Sequence, residues 1–588
     1  MLYQANSTVF GGEPHVSDGT PGGTRLLADI ASNRGDTPIA EMLPFGGRLF
    51  FRASTAGLGT EPWFSDGTQA GTNVLLDINP QGGSSSPTDA TVWNGQVWFG
   101  GFWPGAGLEL VRTDGTVGGT SLGADVEPGG GNSGPRRLTP VGNRLFGTAT
   151  RSSGVELFVS DGTTAGTTLF DLQPGNNGSN PDRLVALGNR VVFTASDATN
   201  GLEAWRSDGT VGGTGLLLDF QPGVTSSFFD GFAVMGGFAW FSANVNGAGI
   251  ELCRTDGTPG GTQLFADLLP GTGGSRPNGF VTAGNRVFFR AFVNGLEVGL
   301  WVTDGTLTGT RAVLDLPGTA SADILDMVAA GNRLFFVCDD RVHGRELWVS
   351  DGTPAGTMLV RDLDVGFGHG VLAGSLAAVG NGLVAFAGQD GGEGLQLWLS
   401  DGSAAGTVQL GRLGTTAGAG AATLQSLVAV GTQLFFVADD GVLGEELWVY
   451  DLGAPTGALA QNYGSSQCPG TGNLTPRIAN FGLPTIGNAA FALDVDKALP
   501  GTLATCAVSL APSNLVLDGC RVLLGLPFTN LPVVITSALG TARSPLPIPA
   551  NPALDGMQLF AQYVVFDGNA PLLGEFALSD GLRLRLGQ

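Results

Sequence analysis

Residues 346–357, with the sequence ELWVSDGTPAGT, are the clearest copy of the motif that decides the fold. The motif has a glutamate, an aromatic residue two positions later, a Ser/Thr-Asp-Gly-Thr turn and a closing Gly-Thr pair. Its aspartate recurs ten times, at intervals of 47 to 50 residues. A period held this closely indicates a repeat array. The ten aspartates are Asp18, Asp66, Asp114, Asp161, Asp208, Asp256, Asp304, Asp351, Asp401 and Asp451.

Each repeat predicts four short β-strands. In repeat eight they are residues 326–330, 333–337, 346–349 and 358–363, and Gly331-Asn332 separates the first two. Gly-Asn and Asp-Gly pairs between apolar runs favour tight hairpins, because these residues accept positive φ. No segment has the 3.6-residue apolar period of a helix. Four strands in about 48 residues match one propeller blade.

The sequence thus predicts an all-β chain, with a large β-propeller of about nine or ten four-stranded blades and a C-terminal β-sandwich. The repeat array is expected at 1–453, a linker at 454–462 and the sandwich at 463–588. The first copy lacks its first strand and the last lacks its fourth. Closure of a ring by strands from both ends is therefore expected, with an open solenoid as the alternative.

Composition narrows the class of protein. Glycine occurs 98 times in 588 residues, yet 42% of residues are hydrophobic, which favours many short strands over a disordered chain. The net charge of −23 disfavours nucleic-acid binding. No apolar stretch is long enough for a membrane helix. Residues 1–10 have neither the basic nor the apolar region of a signal peptide.

Residues 1 to about 451 resemble the bacterial ELWxxDGT repeat proteins. The sequences Glu346-Leu347-Trp348 and Glu446-Leu447-Trp448 and the recurring aspartates carry this resemblance. It implies a secreted or cell-surface protein and no particular activity. The segment from Tyr463 onward resembles a β-sandwich found on secreted proteins of environmental bacteria.

The repeated aspartates allow a structural and a metal-binding interpretation. In a turn, Asp accepts nearby backbone N–H groups, Gly supplies positive φ and Thr hydroxyls close the loop. Calcium instead needs 6–8 oxygen ligands, and each turn offers one carboxylate. We favour a structural turn role with no cofactor and keep a calcium-stabilised surface protein as an alternative.

Three further repeated positions suggest contacts between blades. A glutamate begins the third strand of most repeats, an aspartate such as Asp362 follows the fourth strand, and an arginine such as Arg333 often follows the first turn. Their regular spacing is interpreted as acid–arginine pairs that fix the register of neighbouring blades.

Departures from the repeat supply the candidate binding residues. Asp339-Asp340 and Asp439-Asp440 are paired acids in loops between second and third strands, and such loops often carry function. A solvated turn is the competing interpretation. The three histidines, His15, His343 and His369, belong to different repeats. No catalytic residue and no metal cluster is predicted.

The cysteines near the C-terminus favour an oxidising compartment. The preferred disulfide is Cys468–Cys520, with Cys506–Cys520 as the competitor.

Together, these patterns predict a non-catalytic secreted or cell-envelope scaffold that binds a protein or glycan partner at a propeller face. The alternative is an extracellular hydrolase or lyase acting on carbohydrate through acids in the propeller channel.

Overall fold

The computed structural model describes most of the chain from residue 39 onward and four short strands before it. Residues outside the description after position 38 are 56, 69, 81, 130, 153, 176, 228–229, 295–296, 316–322, 366–367, 390–394, 405, 412–423, 432, 440–444, 453–458, 464–475, 482–491, 497, 518–519, 525, 538–540, 550–556, 569–571, 574–575, 580 and 586–588.

The described strands of residues 5–451 form two short pairs and then nine consecutive antiparallel sheets. The pairs are β1 (Ala5–Ser7) with β2 (Gly11–Glu13), and β3 (His15–Val16) with β4 (Arg25–Leu26). The nine sheets correspond to repeats two to ten and are called blades 1 to 9. Eight have four strands in chain order and blade 9 has three.

The bounds of blades 1 to 3 are β5 (Ala40–Phe45), β6 (Arg48–Thr55), β7 (Gly59–Ser65), β8 (Asn73–Val74); β9 (Thr88–Trp93), β10 (Gln96–Trp103), β11 (Gly107–Thr113), β12 (Ser121–Ala124); and β13 (Arg136–Val141), β14 (Arg144–Arg151), β15 (Gly154–Ser160), β16 (Thr168–Phe170). Blades 4 to 6 are β17 (Asp182–Leu187), β18 (Arg190–Asp197), β19 (Gly201–Ser207), β20 (Gly215–Leu218); β21 (Asp230–Met235), β22 (Phe238–Val245), β23 (Gly249–Thr255), β24 (Gln263–Ala266); and β25 (Asn278–Ala283), β26 (Arg286–Phe292), β27 (Val298–Thr303), β28 (Arg311–Leu314). Blades 7 to 9 are β29 (Asp323–Ala330), β30 (Arg333–Asp339), β31 (Arg345–Ser350), β32 (Met358–Arg361); β33 (Ala377–Ala378), β34 (Val384–Gly388), β35 (Gln396–Ser400), β36 (Val408–Gly411); and β37 (Leu424–Val430), β38 (Gln433–Asp439), β39 (Glu445–Asp451). A single 3-10 turn, Pro259–Gly261, lies between β23 and β24.

The second strand of each blade is buried on both faces. In β6, Leu49, Phe50 and Phe51 are consecutive and all are 0% exposed. Successive side chains of a strand point to opposite faces. Phe50 packs toward blade 2, whereas Leu49 and Phe51 pack toward blade 9. The unbroken apolar run therefore reflects a blade that lies between two neighbours.

Nine hydrophobic clusters join the nine blades in a closed ring. Eight of them join consecutive blades from blade 1 to blade 9. The ninth packs Leu49, Phe51 and Trp63 of blade 1 against Phe435 and Leu447 of blade 9. The ring therefore has nine blades, and the open solenoid is not what the structure adopts.

The first strands of the blades line the centre of this ring. Each contacts the first strand of the next blade, and β37 contacts β5. Most carry a β-bulge, at which the register against the second strand shifts. Residues of these strands in the left-handed region include Glu41, Asp89, Arg137, Arg183 and Ser426.

Antiparallel strand order gives the ring two different faces. The turns between strands one and two, and between strands three and four, lie on one face, which we call the turn face. The loops between strands two and three, and those that lead to the next blade, lie on the opposite face, which we call the loop face. The Asp-Gly hairpins are on the turn face, and Asp339 and Asp340 are on the loop face.

The C-terminal sheets are two packed layers and a hairpin. One layer contains β40 (Leu459–Tyr463), β43 (Leu503–Ser509), β46 (Phe528–Asn530), β47 (Val534–Ile535), β49 (Gln558–Phe566), β50 (Phe576–Leu578) and β51 (Gly581–Arg585). The other contains β41 (Arg477–Phe481), β42 (Ala492–Asp496) and β48 (Ala542–Pro545), and the hairpin is β44 (Pro512–Leu517) with β45 (Cys520–Leu524).

A shared core makes these two layers a β-sandwich. Leu493 and Val495 of one layer pack with Tyr563 and Val565 of the other. The Tyr563 hydroxyl donates to the carbonyl oxygen of Leu493 at 2.6 Å, which satisfies the polar end of a buried ring. Strand β40 begins at Leu459, inside the segment 454–462 that was predicted to be a linker, and it pairs with β51 of the sandwich.

The structure describes two of the three cysteines near the C-terminus, Cys506 and Cys520. Cys506 is a free thiol and is 0% exposed, so it does not form the competing pair with Cys520. Cys468 lies outside the described residues, and the Cys468–Cys520 disulfide stays a prediction.

Candidate functional site

The repeated aspartate holds its own turn together. In blade 4, Asp208 Oδ1 accepts the backbone N–H of Thr210 at 2.9 Å and the Thr210 hydroxyl at 2.7 Å. The Thr210 Oγ1 atom accepts the N–H of Gly213 at 3.0 Å. The Thr214 hydroxyl donates to the Thr210 carbonyl at 2.7 Å and contacts Ser207 Oγ at 2.7 Å. The two hydrogen bonds that Asp208 accepts from Thr210, from its hydroxyl and from its backbone N–H, lower the pKa of Asp208.

The same aspartate contacts recur in the other described turns. They are present at Asp66, Asp114, Asp161, Asp256, Asp304, Asp351 and Asp401. Asp18 and the side chain of Asp451 lie outside the described residues. In every described turn, the Oδ1 atom of the carboxylate is thus used by the turn itself.

The repeated glutamate closes the loop that leads to the next blade, and it does not pair with arginine. Glu251 is 0% exposed and accepts the N–H groups of Leu268 at 2.8 Å and Ser275 at 2.6 Å, together with the Ser275 hydroxyl at 2.6 Å. Glu61, Glu109, Glu156 and Glu203 make the equivalent contacts. The predicted acid–arginine pairs are therefore wrong for these described glutamates.

The arginine after the first turn instead binds backbone of the next blade. Arg48 donates to the carbonyl oxygen of Gly115 at 3.2 Å, and Arg190 to that of Gly257 at 3.3 Å. Both glycines belong to Asp-Gly hairpins on the turn face. Arginine–carbonyl bonds thus join blade 1 to blade 2 and blade 4 to blade 5.

The paired acids have local roles. Asp339 Oδ1 accepts the N–H of Arg341 at 2.9 Å. Asp340 Oδ1 accepts the N–H groups of Val342 at 2.9 Å and His343 at 2.8 Å. The side chains of Asp439 and Asp440 lie outside the described residues.

Asp340 also holds the imidazole of His343, which sequence reasoning did not foresee. Its Oδ2 atom lies 2.7 Å from His343 Nδ1. Burial raises the pKa of Asp340, but the three contacts with His343 and Val342 outweigh it, and the pKa falls below its ordinary value. An ionised carboxylate can only accept, so we assign the Nδ1 proton to His343. This hydrogen bond raises the pKa of the imidazole.

A second histidine contacts the backbone at the start of β31. The Arg345 N–H donates to Nδ1 of His369 at 3.2 Å, and Arg345 is two residues from His343. The loop 363–371, which the buried Glu346 also holds through Leu363 and Gly370, brings His369 to the start of β31. Sequence analysis assigned these two histidines to separate repeats, although the backbone that contacts His369 is only two residues from His343.

Blade 4 contains the same loop without the histidine. Asp197 Oδ1 accepts the N–H groups of Thr199 at 2.8 Å and Asn200 at 2.5 Å, and Oδ2 accepts the Asn200 side-chain amide at 2.7 Å. Asp197 and Asp340 both stand six residues before the repeated glutamate. The loop therefore folds with either Asn or His at this position, and only His adds a titratable ring.

The described residues contain no group of three or more His, Cys, Asp or Glu side chains that could hold a metal ion. No helix among these residues has the length and apolar character needed to cross a membrane. Calcium binding and a secreted location stay predictions.

Comparison with known proteins finds resemblance only among solved structures. No family model matches the chain, and no curated protein sequence matches it. The resemblance to ELWxxDGT proteins stays a prediction. A puromycin hydrolase is 15% identical with a TM-score of 0.31, over 62% of this chain and 58% of the hydrolase.

Two further solved structures resemble this chain with comparable identities and TM-scores. A prolyl endopeptidase structure is 10% identical with a TM-score of 0.35, over 62% of this chain and 55% of that one. The β-propeller domain of the Trilobed protease from Pyrococcus furiosus is 10% identical with a TM-score of 0.28, over 54% of this chain and 95% of that domain. This chain thus matches little more than half of the puromycin hydrolase and prolyl endopeptidase chains.

The prediction of a non-catalytic scaffold for a protein or glycan partner is corrected by these comparisons. The similar structures are hydrolytic enzymes or, for the third, the propeller domain of one. The prediction was therefore wrong.

Proposed function

We propose that the protein is a hydrolytic enzyme that uses His343 as a general base to activate water on the loop face of blade 7. The observation that carries this proposal is the 2.7 Å contact between Asp340 Oδ2 and His343 Nδ1. A carboxylate in this position fixes the tautomer of the imidazole and directs its other nitrogen outward.

The Nε2 atom of His343 then carries the lone pair. The His343 side chain is 37% exposed and that of Asp340 is 11% exposed, so the ring reaches solvent while its partner is sheltered. In the proposed reaction, Nε2 takes a proton from water as the water oxygen bonds to an acyl carbon. The bond to the alcohol or amine leaving group breaks, and the imidazolium returns the proton to that group.

His369 is a positioning residue in this proposal. Because Nδ1 of His369 accepts the Arg345 N–H, its neutral ring carries the other proton on Nε2. The His369 side chain is exposed. It keeps the backbone at the start of β31 in place and leaves a donor at the edge of the site.

The test is hydrolysis of two chromogenic acyl substrates, p-nitrophenyl butyrate and alanine p-nitroanilide, by the full chain. The variant His343→Asn reproduces the Asp-Asn loop that blade 4 already contains, so it removes the base while it preserves the fold. We expect kcat/KM to fall about a hundredfold, within the usual contribution of a general base. The matched control is Asn200→Ala, which disturbs the equivalent loop of blade 4 and is expected to leave the rate unchanged.

The rate should also depend on pH through His343. Because only the neutral imidazole accepts a proton, kcat/KM should rise with pH and level off above the pKa of His343. Asp340→Asn removes the charge that raises this pKa, so the rising limb should move to lower pH. Absence of turnover by the wild-type chain, or equal rates for wild type and His343→Asn, would contradict the proposal.

A further inference from the structure

A pocket separate from His343 lies where the first strands of blades 3 and 4 begin. It has a volume of about 340 Å³, and its lining includes Arg136, Arg137, Thr150, Asn180 and Asp182. Arg136 and Arg137 begin β13, and Asp182 begins β17. The pocket therefore lies on the loop face, where the first strands of neighbouring blades meet.

The two arginines are only partly neutralised. Arg137 Nε donates to Asp182 Oδ1 at 2.6 Å, and its terminal amino groups donate to no other described residue. Arg136 NH1 lies 3.7 Å from Asp89 Oδ2, which is beyond hydrogen-bond distance. The side chains of Arg136 and Arg137 are 59% and 43% exposed. Two guanidinium groups thus present unused donors to one cavity.

Backbone geometry fixes this arrangement. Arg137 has φ of 53° at the bulge of β13, a conformation that few side chains other than Asn and Asp adopt readily. The bulge turns the strand so that two consecutive residues, Arg136 and Arg137, both line the pocket, although consecutive residues of a regular strand point to opposite faces.

Such a concentration of positive charge is unusual in this protein. The chain has 28 basic and 51 acidic residues, and its net charge is −23. The negative field of the chain repels anions, so an anion must be held by local donors, and both guanidinium groups keep unused donors although Asp89 and Asp182 lie near them. Guanidinium groups bind carboxylate and phosphate oxygens in bidentate geometry.

We propose that this pocket binds the oxyanion of a small molecule, a carboxylate or a phosphate group, between Arg136 and Arg137. Asp182 positions Arg137 through Nε and leaves its terminal amino groups directed at the ligand. Asn180 and Thr150 border the same cavity. The proposal is independent of hydrolysis at His343, because the two sites lie on different blades.

The test is isothermal titration calorimetry of the full chain with inorganic phosphate and with succinate, at constant low ionic strength. We expect one site per chain for at least one of these anions, and comparison of the two distinguishes a phosphate from a carboxylate ligand. Arg136→Gln and Arg137→Gln should each weaken binding tenfold or more. The Arg136 side chain is 59% exposed and makes no hydrogen bond to any described residue, so its replacement should not affect folding.

The matched control is Arg183→Gln. Arg183 occupies the equivalent bulge of blade 4 with φ of 55°, and it pairs with Asp230 at 2.6 Å, but it does not line the pocket. This variant should bind within twofold of wild type. Failure of the wild-type chain to bind either anion would overturn the proposal. An equal loss in Arg183→Gln would also overturn it, because the effect would then come from net charge.

Discussion

At the scale of single residues, the Asp-Gly-Thr hairpin was predictable from sequence, because its donors and acceptors lie within seven residues of one another. The hydrogen bonds between Asp208 and Thr210 hold the turn from within, as residue type and spacing indicated. The final glycine of the motif is required for a steric reason. A Cβ at Gly213 would lie 2.0 Å from Asp208 Oδ1, so this position must remain empty for the carboxylate to fit.

The neighbouring glycine gives a direct test of this steric argument. Gly212 has open space around the position of a Cβ, and its φ is not in the left-handed region. Gly213→Ala should destabilise the protein by about 1 to 3 kcal/mol, whereas Gly212→Ala should be neutral or stabilising by up to about 1 kcal/mol. Urea unfolding of both variants measures the difference. Equal stabilities would show that the turn does not need the empty position.

The role of the repeated glutamate was not predictable in the same way. Its partners lie in an irregular loop, at about 17 and 24 positions further along the chain, and no local pattern connects them. One signal was present in the sequence. A serine follows at 23 or 24 residues in five repeats, at Ser85, Ser133, Ser179, Ser227 and Ser275. A search for fixed long-range spacings would have found it.

At the scale of structural elements, these glutamates make the loops between blades sensitive to pH. Burial raises the pKa of Glu203 and of Glu346 to about 7, in spite of their hydrogen bonds. The ordinary value is 4.5, so between these values the folded chain holds protons that the unfolded chain has lost. Stability is then greatest below the ordinary value and falls as pH rises to about 7.

We therefore expect the melting temperature of the propeller to decrease from pH 5 to pH 8. The hairpin aspartates make stability rise with pH, but only at lower pH, because the pKa values of Asp208 and Asp256 are lowered from 3.8. Calorimetry at pH 5, 6, 7 and 8 measures the decrease.

Glu203→Gln should make this decrease smaller, because it removes one titrating group and because blade 8 already has Gln396 at the same position. The control Glu127→Gln changes a partly exposed glutamate and should leave the pH dependence as in wild type. A melting temperature that rises between pH 5 and pH 8, or the same slope for both variants, would show that the buried glutamates are ionised throughout.

At the scale of the whole molecule, the repeat period predicted blades but not their number. Sequence analysis left nine or ten blades and an open solenoid as alternatives, because the two incomplete repeats fit any of these. The deciding contacts join residues almost 400 positions apart, such as Phe51 and Phe435. Apolar residues at these positions recur in most repeats, so their sequence does not say which partner each one meets.

On the loop face too, the sequence does not show which residues come together. His343 and His369 lie 26 residues apart in sequence, and Arg136 and Asp182 lie 46 apart. Arg136 and Asp182 line one pocket because successive blades present equivalent loops on one face, whereas His343 and His369 lie in two different loops that leave blade 7 on that face. Both proposals therefore depend on partners that the fold supplies and that the sequence does not show.

Closure of the ring through blades 9 and 1 is tested most directly by crosslinking. Pro44 of β5, Val92 of β9 and Ala429 of β37 occupy equivalent positions on first strands, and β5 contacts both of the other strands. The double variant Pro44→Cys/Ala429→Cys spans the closing interface, and Pro44→Cys/Val92→Cys spans an ordinary one. A short bismaleimide followed by peptide mass spectrometry should crosslink both pairs within the monomer in similar yield. Crosslinking of the Pro44/Val92 pair alone would contradict the closed ring of nine blades.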